Sequence, residues 1–215
     1  RIRGSPQSFQ NVMKTFHFLK KYKQKYSNLR IGFVTTFTAT NQDSINELYD
    51  YLKAQGPDNI SINLIRGIPK NPLVKNIDIA KYKAVTARLQ QDLLQVNLPG
   101  FDPFLAAMGT YRYDMVAKTY EENKFQTTCY SSQIACVIYP NGDVSACELR
   151  PPVANVRDFG YDLTKLLKQP IFKNEIKDIS GQNCSCFHGC FIPPSVRFSP
   201  LHMGKLALKT IFTKY

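Results

Sequence analysis

The first half of the chain alternates between helix-like and strand-like patterns of apolar residues. Apolar side chains at three- and four-residue steps predict an amphipathic helix that opens at Ser5-Pro6, an N-cap residue followed by a proline. Continuous apolar runs predict buried strands over 29–36 and 60–65. A second helix between them ends at Gly56-Pro57, and a third helix is expected over about 78–96.

This order of helix, strand, helix, strand and helix is typical of a parallel α/β sheet or barrel. Two strands are too few to bury both faces of a parallel sheet, and a complete β/α barrel takes about 250 residues and eight such units. We therefore predict an α/β fold in which residues 1–98 form a partial, TIM-like β/α barrel fragment. The strand over 29–36 should then keep one edge unpaired.

A change of pattern near residue 98 predicts a second lobe. Proline and glycine interrupt the chain at 98–104, and a polar helix is expected over 106–123, so that residues 99–124 link the two lobes. Residues 125–200 are predicted to be a small α+β domain, and residues 201–215 a C-terminal tail.

The second lobe is predicted to contain a β-hairpin. The β-prone runs 134–139 and 144–147 flank Asn141-Gly142, a dipeptide that strongly favours a two-residue hairpin turn. A short helix is expected over 163–169, whereas residues 180–200 are predicted to be rich in loops. A loop-rich segment without its own core needs another source of order, and a bound metal can supply it.

Composition places the chain among globular proteins, with 43% hydrophobic and 20% charged residues. No apolar run reaches the roughly 18 residues of a membrane span, and the N-terminal sequence RIRGSPQSF lacks the apolar core of a signal peptide. We therefore expect no membrane partner and a reducing, cytoplasmic location. Since residue 1 is Arg rather than Met, we also expect the chain to begin within a longer protein.

The net charge of +12 includes a basic run at Lys20, Lys21, Lys23 and Lys25. Such a run can mark a surface for nucleic acid or for an acidic substrate, or simply the solvated face of a helix. No basic stripe with interleaved aromatic residues accompanies it, so the solvated face is the favoured interpretation and nucleic acid is not a favoured partner.

Six cysteines, all within residues 129–190, are the main chemical signal. Cys136 lies inside a predicted strand and is interpreted as a small core residue. The other five compete for the four places of a thiolate site that tertiary folding would close: Cys129, Cys147, Cys184, Cys186 and Cys190. Four thiolates suit zinc or an iron–sulfur cluster, and the spacing does not choose between them. Structural thiols without metal are the remaining alternative.

The segment CYSSQIACVIYPNGDVSACE resembles the start of the SPASM and twitch domains of radical SAM enzymes, which share the pattern C-x9-15-G-x4-C. Here Cys129 and Gly142 are separated by twelve residues, and Gly142 and Cys147 by four. Asn155-Val156-Arg157 is similar to the "GN" segment that follows in the family. NCSCFHGC resembles the closing cysteine group of a version with one cluster, since the C-x2-C-x5-C-x3-C pattern of two-cluster SPASM domains does not occur.

The first half is similar to the radical SAM barrel. IRGSPQSFQNVMKTFHFLKKY resembles the segment after the fourth strand, and residues 29–67 resemble strands five and six with the helix between them. The resemblance thus covers most of the chain and implies one auxiliary [4Fe-4S] cluster. The family's C-x3-C-x2-C motif, which binds the cluster that cleaves S-adenosylmethionine, is not found in the 215 residues. The chain therefore resembles the C-terminal portion of such an enzyme.

Five polar residues near the carboxyl ends of the two predicted strands are candidates to contact S-adenosylmethionine or substrate: Thr35, Thr36, Asn41, Asn63 and Arg66. Each could instead cap or close a turn. The resemblance leaves the substrate unknown, although a peptide is one candidate class, and both electron transfer and substrate ligation by the auxiliary cluster stay open. The alternative function is a non-catalytic protein with a structural four-cysteine zinc site, for which nucleic acid is a candidate partner.

Overall fold

The fold is that of a computed structural model, which describes residues 5–95, 103–181, 186–187, 189 and 191–212. The described residues form a mixed α/β structure with two small sheets. The strands are β1 Gly32–Phe37, β2 Asn59–Leu64, β3 Val137–Ile138, β4 Asp143–Ser145 and β5 Ala154–Asn155. The helices are α1 Ser8–Lys25, α2 Ile45–Ala54, α3 Ile79–Gln95, α4 Pro103–Glu122, α5 Ser131–Ile134, α6 Leu163–Leu167, α7 Pro170–Ser180, α8 Ile192–Arg197 and α9 Pro200–Phe212.

Strands β1 and β2 pair in parallel, with Gly32 opposite Asn59 and Phe37 opposite Leu64. Side chains alternate between the two faces of a strand, so the paired residues Phe33, Ile60, Phe37 and Leu64 share one face. That face packs on the helices, since these residues belong to the apolar core formed with α1, α2 and α3. The opposite face, which we call the polar sheet face, is lined by Gly32, Val34, Thr36, Asn59, Ser61 and Asn63.

The two edges of this sheet differ. The backbone of Ile62 in β2 points away from β1, and its N–H donates to Tyr113 Oη at 3.4 Å while its carbonyl accepts from Tyr82 Oη at 3.4 Å. Helices α3 and α4, which carry these tyrosines, thus cap the β2 edge. Within the described residues β1 pairs with no strand other than β2, and no barrel closes. The predicted open edge of the first strand is therefore confirmed for the described residues.

The second sheet has the order β3-β4-β5 and is antiparallel throughout. The predicted hairpin is confirmed, because Gly142 lies in the turn between β3 and β4 with φ of +88°. Asn155 on β5 fastens this turn, since its amide donates to Asn141 O at 3.1 Å and to Asp143 Oδ1 at 3.0 Å. The "GN"-like segment is thus a third strand followed by a 3₁₀ turn over Val156–Phe159.

One apolar core continues from the parallel sheet into the hairpin region. Its fully buried members include Phe37, Tyr82, Val144, Phe172 and Leu206, which come from both halves of the chain. A smaller core joins α1 to the outer part of the sheet through Phe16 and Phe33, whose rings stack 4.4 Å apart. Helix α4 is buried on most sides by this arrangement and contacts α3, α8 and α9.

Several predicted elements differ from the structure. Residues 201–215 were predicted to be a tail, but Pro200–Phe212 is a helix because Leu206 and His202 pack into the core. The loop-rich prediction for 180–200 is wrong over Ile192–Arg197, which is helical. Residue 134, predicted to begin a strand, ends a short helix instead. The predicted hinge at 98–102 lies outside the described residues, and the division into lobes stays a prediction.

Among the described residues, no helix combines the length and the apolar character that crossing a membrane requires.

Candidate functional site

A groove of about 510 Å³ lies along the open edge of β1, between the start of α1 and helix α2. Three of the predicted contact residues line it: Thr35, Thr36 and Asn41. The remaining wall is mostly apolar, with Phe9, Val12, Leu48 and Leu52. Thr36 belongs to the polar sheet face, whereas Thr35 lies on the helix-packed face opposite Ile62.

The Asn41 amide takes part in the turn that follows β1. Its Oδ1 accepts from Thr38 N at 2.8 Å and from Thr38 Oγ1 at 3.0 Å, and its Nδ2 donates to Thr36 O at 2.9 Å. Helix α2 begins later, at Ile45, with Ser44 as its N-cap residue. Asn41 therefore closes a strand-end turn and is not the cap of α2, which occupies its amide oxygen and leaves one of its two N–H donors for another partner.

Asn63 on β2 and Arg66 just beyond it lie farther from the open β1 edge, toward the second half of the chain. Arg66 forms an ion pair with Glu148, the residue that follows Cys147. Asn63 faces Gly189, because a methyl group built at Gly189 would lie only 3.3 Å from Asn63 Oδ1. The structure therefore divides the five predicted contact residues into two groups, one at the β1 groove and one near the cysteines.

Residues 183–190 are here called the cysteine segment, and two of its described residues, Phe187 and Gly189, contact other elements. Phe187 packs against Tyr120 of α4, with ring centroids 6.0 Å apart. A methyl group at Gly189 would lie 3.4 Å from Arg112 Nη1, also on α4. Phe187 and Gly189 thus lie against α4, Gly189 also beside the carboxyl end of β2, and a side chain at position 189 would crowd that contact.

The backbone at Cys129 and Tyr130 contacts the two helices that flank the cysteine segment in sequence. The Cys129 carbonyl accepts from Ser180 Oγ at 3.4 Å, at the last residue of α7, and the Tyr130 N–H donates to Ser195 Oγ in α8 at 3.2 Å. The end of α7 and the middle of α8 therefore lie beside this buried thiol.

Cys147 is held by a half-buried charge network. Its carbonyl accepts from Arg150 N at 3.0 Å, and the guanidinium of Arg150 pairs with Glu175 at 2.5 Å and with Asp178. Both carboxylates lie on α7, and their hydrogen bonds, that from Glu175 first, raise the pKa of Arg150. The turn after β4 is thereby tied to the helix that leads into the cysteine segment.

Two serine hydroxyls near these cysteines are buried and have no hydrogen-bond partner among the described residues. Ser132 follows Cys129 by three positions, and Ser145 precedes Cys147 by two. Buried hydroxyls normally find a partner, so each of these marks a place where an acceptor would be favourable. The sulfide and thiolate sulfurs of a metal site are acceptors of this kind.

The thiols themselves are only partly described. Cys129 and Cys147 are buried, Cys186 is half-buried, and all three belong to the same apolar core or pack against it. Cys184, Cys190 and His188 lie outside the described residues. Within the described part of the chain, no group of three or more His, Cys, Asp or Glu side chains is close enough to hold a metal ion. The predicted ligand set therefore stays a prediction.

Cys136 is set apart from the other cysteines. It is half-buried just before β3 and packs against the apolar core. Burial raises the pKa of its thiol, which favours the neutral form and disfavours metal ligation or nucleophilic chemistry. Its interpretation as a small core residue agrees with this environment.

The basic run on α1 contributes to packing. Lys20 Nζ donates to Gln55 O at 2.6 Å, and Lys23 pairs with Asp58 at the start of β2. Two of its four lysines therefore bind other parts of this chain, which favours the structural interpretation over a nucleic-acid surface.

Arg112 is the residue near the site that sequence reasoning missed. Its guanidinium donates to Tyr113 Oη at 2.7 Å and lies 4.6 Å from that ring. The local sequence TYRYD gives no signal for a site, because the contact with Gly189 joins positions far apart in the chain. The one indication of its role in the sequence was an arginine among the apolar residues of one helix face.

Comparisons with protein-family models, with curated proteins and with solved structures give no match for this chain.

Proposed function

We propose that this chain is the C-terminal portion of a radical SAM enzyme, which binds one auxiliary [4Fe-4S] cluster and forms part of the cavity for S-adenosylmethionine and substrate. The observation that carries the proposal is the position of Cys129 and Tyr130, whose backbone groups bond to Ser180 and Ser195 in the helices that flank the cysteine segment. This contact supports a shared site for the two distant parts of the sequence that resemble one cluster-binding pattern.

The surroundings of the thiols suit an iron–sulfur cluster. Cys129 and Cys147 are buried, Cys186 packs against the same apolar core, and Ser132 and Ser145 offer unused hydroxyl donors. Cys129, Cys147 and Cys190, with Cys184 or Cys186, would be the ligands. Hydrogen bonds to sulfur and exclusion of water both tune a cluster's reduction potential.

The parallel sheet supports the barrel part of the proposal. A parallel sheet normally has both faces covered, yet the described helices cover one face of β1 and β2. Thr36 and Asn63 project from the polar sheet face near its carboxyl end, where β/α barrels build their sites. Polar residues on this face are suited to line a substrate cavity.

The chemistry of each part follows from this arrangement. When bound, an auxiliary cluster supplies either electron transfer or a coordination site for substrate. The residues of the chain hold the thiolates together, exclude water and orient the strand ends. The pair Arg66–Glu148 joins the end of β2 to the turn that carries Cys147, so the substrate-facing strand and the cysteine-bearing turn are positioned by one contact.

The proposal is tested by metal analysis of the chain after anaerobic purification and reconstitution with iron and sulfide. We expect about four iron and four sulfide per chain in the wild type, and loss of both in Cys147→Ala. Cys136→Ala is the matched control, because it removes a thiol from the same lobe without touching the expected ligands, and it should retain both elements.

Separate Cys184→Ala and Cys186→Ala variants identify the fourth ligand, since one of them should lose the cluster and the other should keep it. One zinc per chain without sulfide would contradict the iron–sulfur proposal and support the structural zinc site. Equal iron content in wild type and Cys147→Ala would also contradict it.

A further inference from the structure

Arg112 is a half-buried cation without a carboxylate partner among the described residues. Three other arginines pair with acidic side chains: Arg66 with Glu148, Arg88 with Asp50, and Arg150 with Glu175 and Asp178. The exposed Arg30 and Arg157 donate to backbone carbonyls instead. Arg112 makes none of these ion pairs, and its only side-chain hydrogen bond in the described structure is the one to Tyr113. Burial of an arginine is unfavourable unless an anion compensates for the lost hydration.

The guanidinium is nevertheless fixed in place. One nitrogen, Nη2, donates to Tyr113 Oη at 2.7 Å, and the guanidinium carbon lies 4.6 Å from the centre of the Tyr113 ring. Tyr113 Oη in turn accepts from the Ile62 N–H of β2. Stacking and hydrogen bonding of this kind hold an arginine in one orientation before any ligand arrives. The other terminal nitrogen, Nη1, is directed to the side of Gly189.

Asn63 supplies a second unused polar group at the same place. Its half-buried amide makes no hydrogen bond among the described residues, and it lies against Gly189 on the same side as Arg112 Nη1. A methyl group at Gly189 would be 3.3 Å from Asn63 Oδ1 and 3.4 Å from Arg112 Nη1. The absence of a side chain at position 189 therefore keeps both groups accessible to something small.

The location is one where ligands bind in parallel α/β structures. Asn63 is the penultimate residue of β2 and pairs with Thr36 of β1, so both lie at the carboxyl end of the sheet. Arg66 follows two residues beyond β2. This end of the sheet thus carries a preoriented cation and a free amide at a place suited to binding.

We propose that Arg112 and Asn63 anchor a carboxylate group of the substrate at the carboxyl end of β2, beside the cysteine segment. A carboxylate presents two oxygens in one plane. One accepts from Arg112 Nη1, and the other accepts from Asn63 Nδ2 once the amide rotates by half a turn, because Oδ1 is the atom that faces Gly189. Hydrogen bonds between ionised partners are the strong ones. The inference rests on the proposed function in that the ligand is the substrate of the radical SAM site. It adds the substrate's chemical class, an acid such as a peptide with an acidic side chain or a free C-terminus.

The test measures binding of succinate to the reconstituted chain by ligand-observed NMR, with neutral succinamide and inorganic phosphate as comparison probes. We expect succinate to bind more tightly than either comparison probe, and its affinity to fall as salt is added. Arg112→Gln should weaken succinate binding by about tenfold or more. Arg88→Gln is the matched control, because Arg88 lies on the exposed side of α3 in an ion pair with Asp50, and it should bind succinate as the wild type does.

Gly189→Ala provides a second route that leaves every charge in place. Its methyl group would crowd both Asn63 and Arg112, so it should also weaken succinate binding, while thermal unfolding confirms that the variant is folded. Equal binding of succinate and succinamide, equal binding of phosphate, or unchanged binding in both Arg112→Gln and Gly189→Ala would overturn the inference.

Iron and sulfide are measured on the same samples to separate this inference from the proposed function. A wild type with a full iron–sulfur complement but no preference for succinate overturns the carboxylate anchor alone. A wild type without iron or sulfide overturns the proposed function, whatever its binding of succinate. If Arg112→Gln shifts the reduction potential of the cluster and leaves succinate binding intact, Arg112 serves the cluster and the anchor is wrong.

Discussion

At the scale of single residues, Asp58 shows how one side chain joins three elements. Its carboxylate pairs with Lys23 of α1 and accepts from Ile31 N at 2.6 Å, and its own N–H donates to Ile31 O at 2.8 Å. Burial by itself raises the pKa of Asp58, but the hydrogen bonds from Lys23 and Ile31 outweigh it. The pKa of Asp58 in the folded protein therefore lies below its ordinary value of 3.8.

Replacement of Asp58 by Asn should lower the free energy of unfolding at pH 7 by about 1–3 kcal/mol, because the ion pair and the charge-assisted hydrogen bond are lost. A depressed pKa in the folded state means that the carboxylate stabilises the fold above its unfolded pKa. That stabilisation is lost as the pH falls below about 4, through the lower folded pKa. Urea unfolding of both proteins at pH 7 and at low pH measures this.

The difference in unfolding free energy between the wild type and Asp58→Asn should accordingly shrink on acidification. Lys21→Gln, in the same basic run, is the control and should change stability by less than about 0.5 kcal/mol. A difference that stays constant with pH would show that the carboxylate charge contributes nothing at this position.

At the scale of elements, β1 has two chemically different edges. The carbonyl of Phe37 accepts from Ile65 N, so odd-numbered residues of β1 direct their backbone groups to β2. The carbonyl of Thr36 accepts from Asn41, on the other edge, and the even-numbered residues share that direction. Thr35 therefore donates its N–H within the sheet, whereas the Val34 N–H points to the open edge.

Proline substitutions distinguish these edges, since proline lacks an N–H. Thr35→Pro should destabilise the chain by about 2 kcal/mol more than Val34→Pro, because it removes a ladder hydrogen bond and leaves a β2 carbonyl unpaired. Chemical unfolding of the two variants gives the comparison. Equal costs, or a larger cost for Val34→Pro, would mean that the Val34 N–H is bonded in solution.

The elements also show what local sequence can predict. Asn141-Gly142 specified the hairpin because its turn needs left-handed backbone, and Gly142 adopts φ of +88°. The turn has three residues between the paired Tyr139 and Asp143, rather than two. Apolar spacing predicted α1, α2 and α3 to within a few residues for the same local reason. Helix α9 was missed because its stability comes from packing of Leu206 into a core assembled from distant residues, which no short window of sequence contains. The contact between Arg112 and Gly189 could not be predicted either, because it also joins residues that are distant in the sequence.

At the scale of the whole molecule, His202 connects the C-terminal helix to the centre of the structure. This buried imidazole bonds to Tyr111 Oη at 2.7 Å through Nδ1 and to Gln126 O at 3.0 Å through Nε2. It thereby fastens α9 both to α4 and to the chain that leads toward Cys129. This histidine is thus a structural link between distant parts of the chain.

His202→Ala should lower the free energy of unfolding by about 1–3 kcal/mol, because it leaves the Tyr111 hydroxyl and the Gln126 carbonyl without their partner. Lys205→Ala, on the exposed side of the same helix, should change it by less than about 0.5 kcal/mol. Urea unfolding measures both. Equal effects of the two substitutions would show that α9 is held by its apolar contacts alone.

The two tyrosines that cap β2 leave β1 as the edge at which a further strand could pair, in the part of the chain that the structure describes. Tyr82 and Tyr113 occupy the Ile62 carbonyl and N–H with side-chain hydroxyls, so a strand arriving there would have to displace two buried rings. A strand arriving beside β1 meets unpaired backbone at Val34 and would displace no buried ring. A further strand would therefore be added to this sheet at the β1 edge and not at the β2 edge.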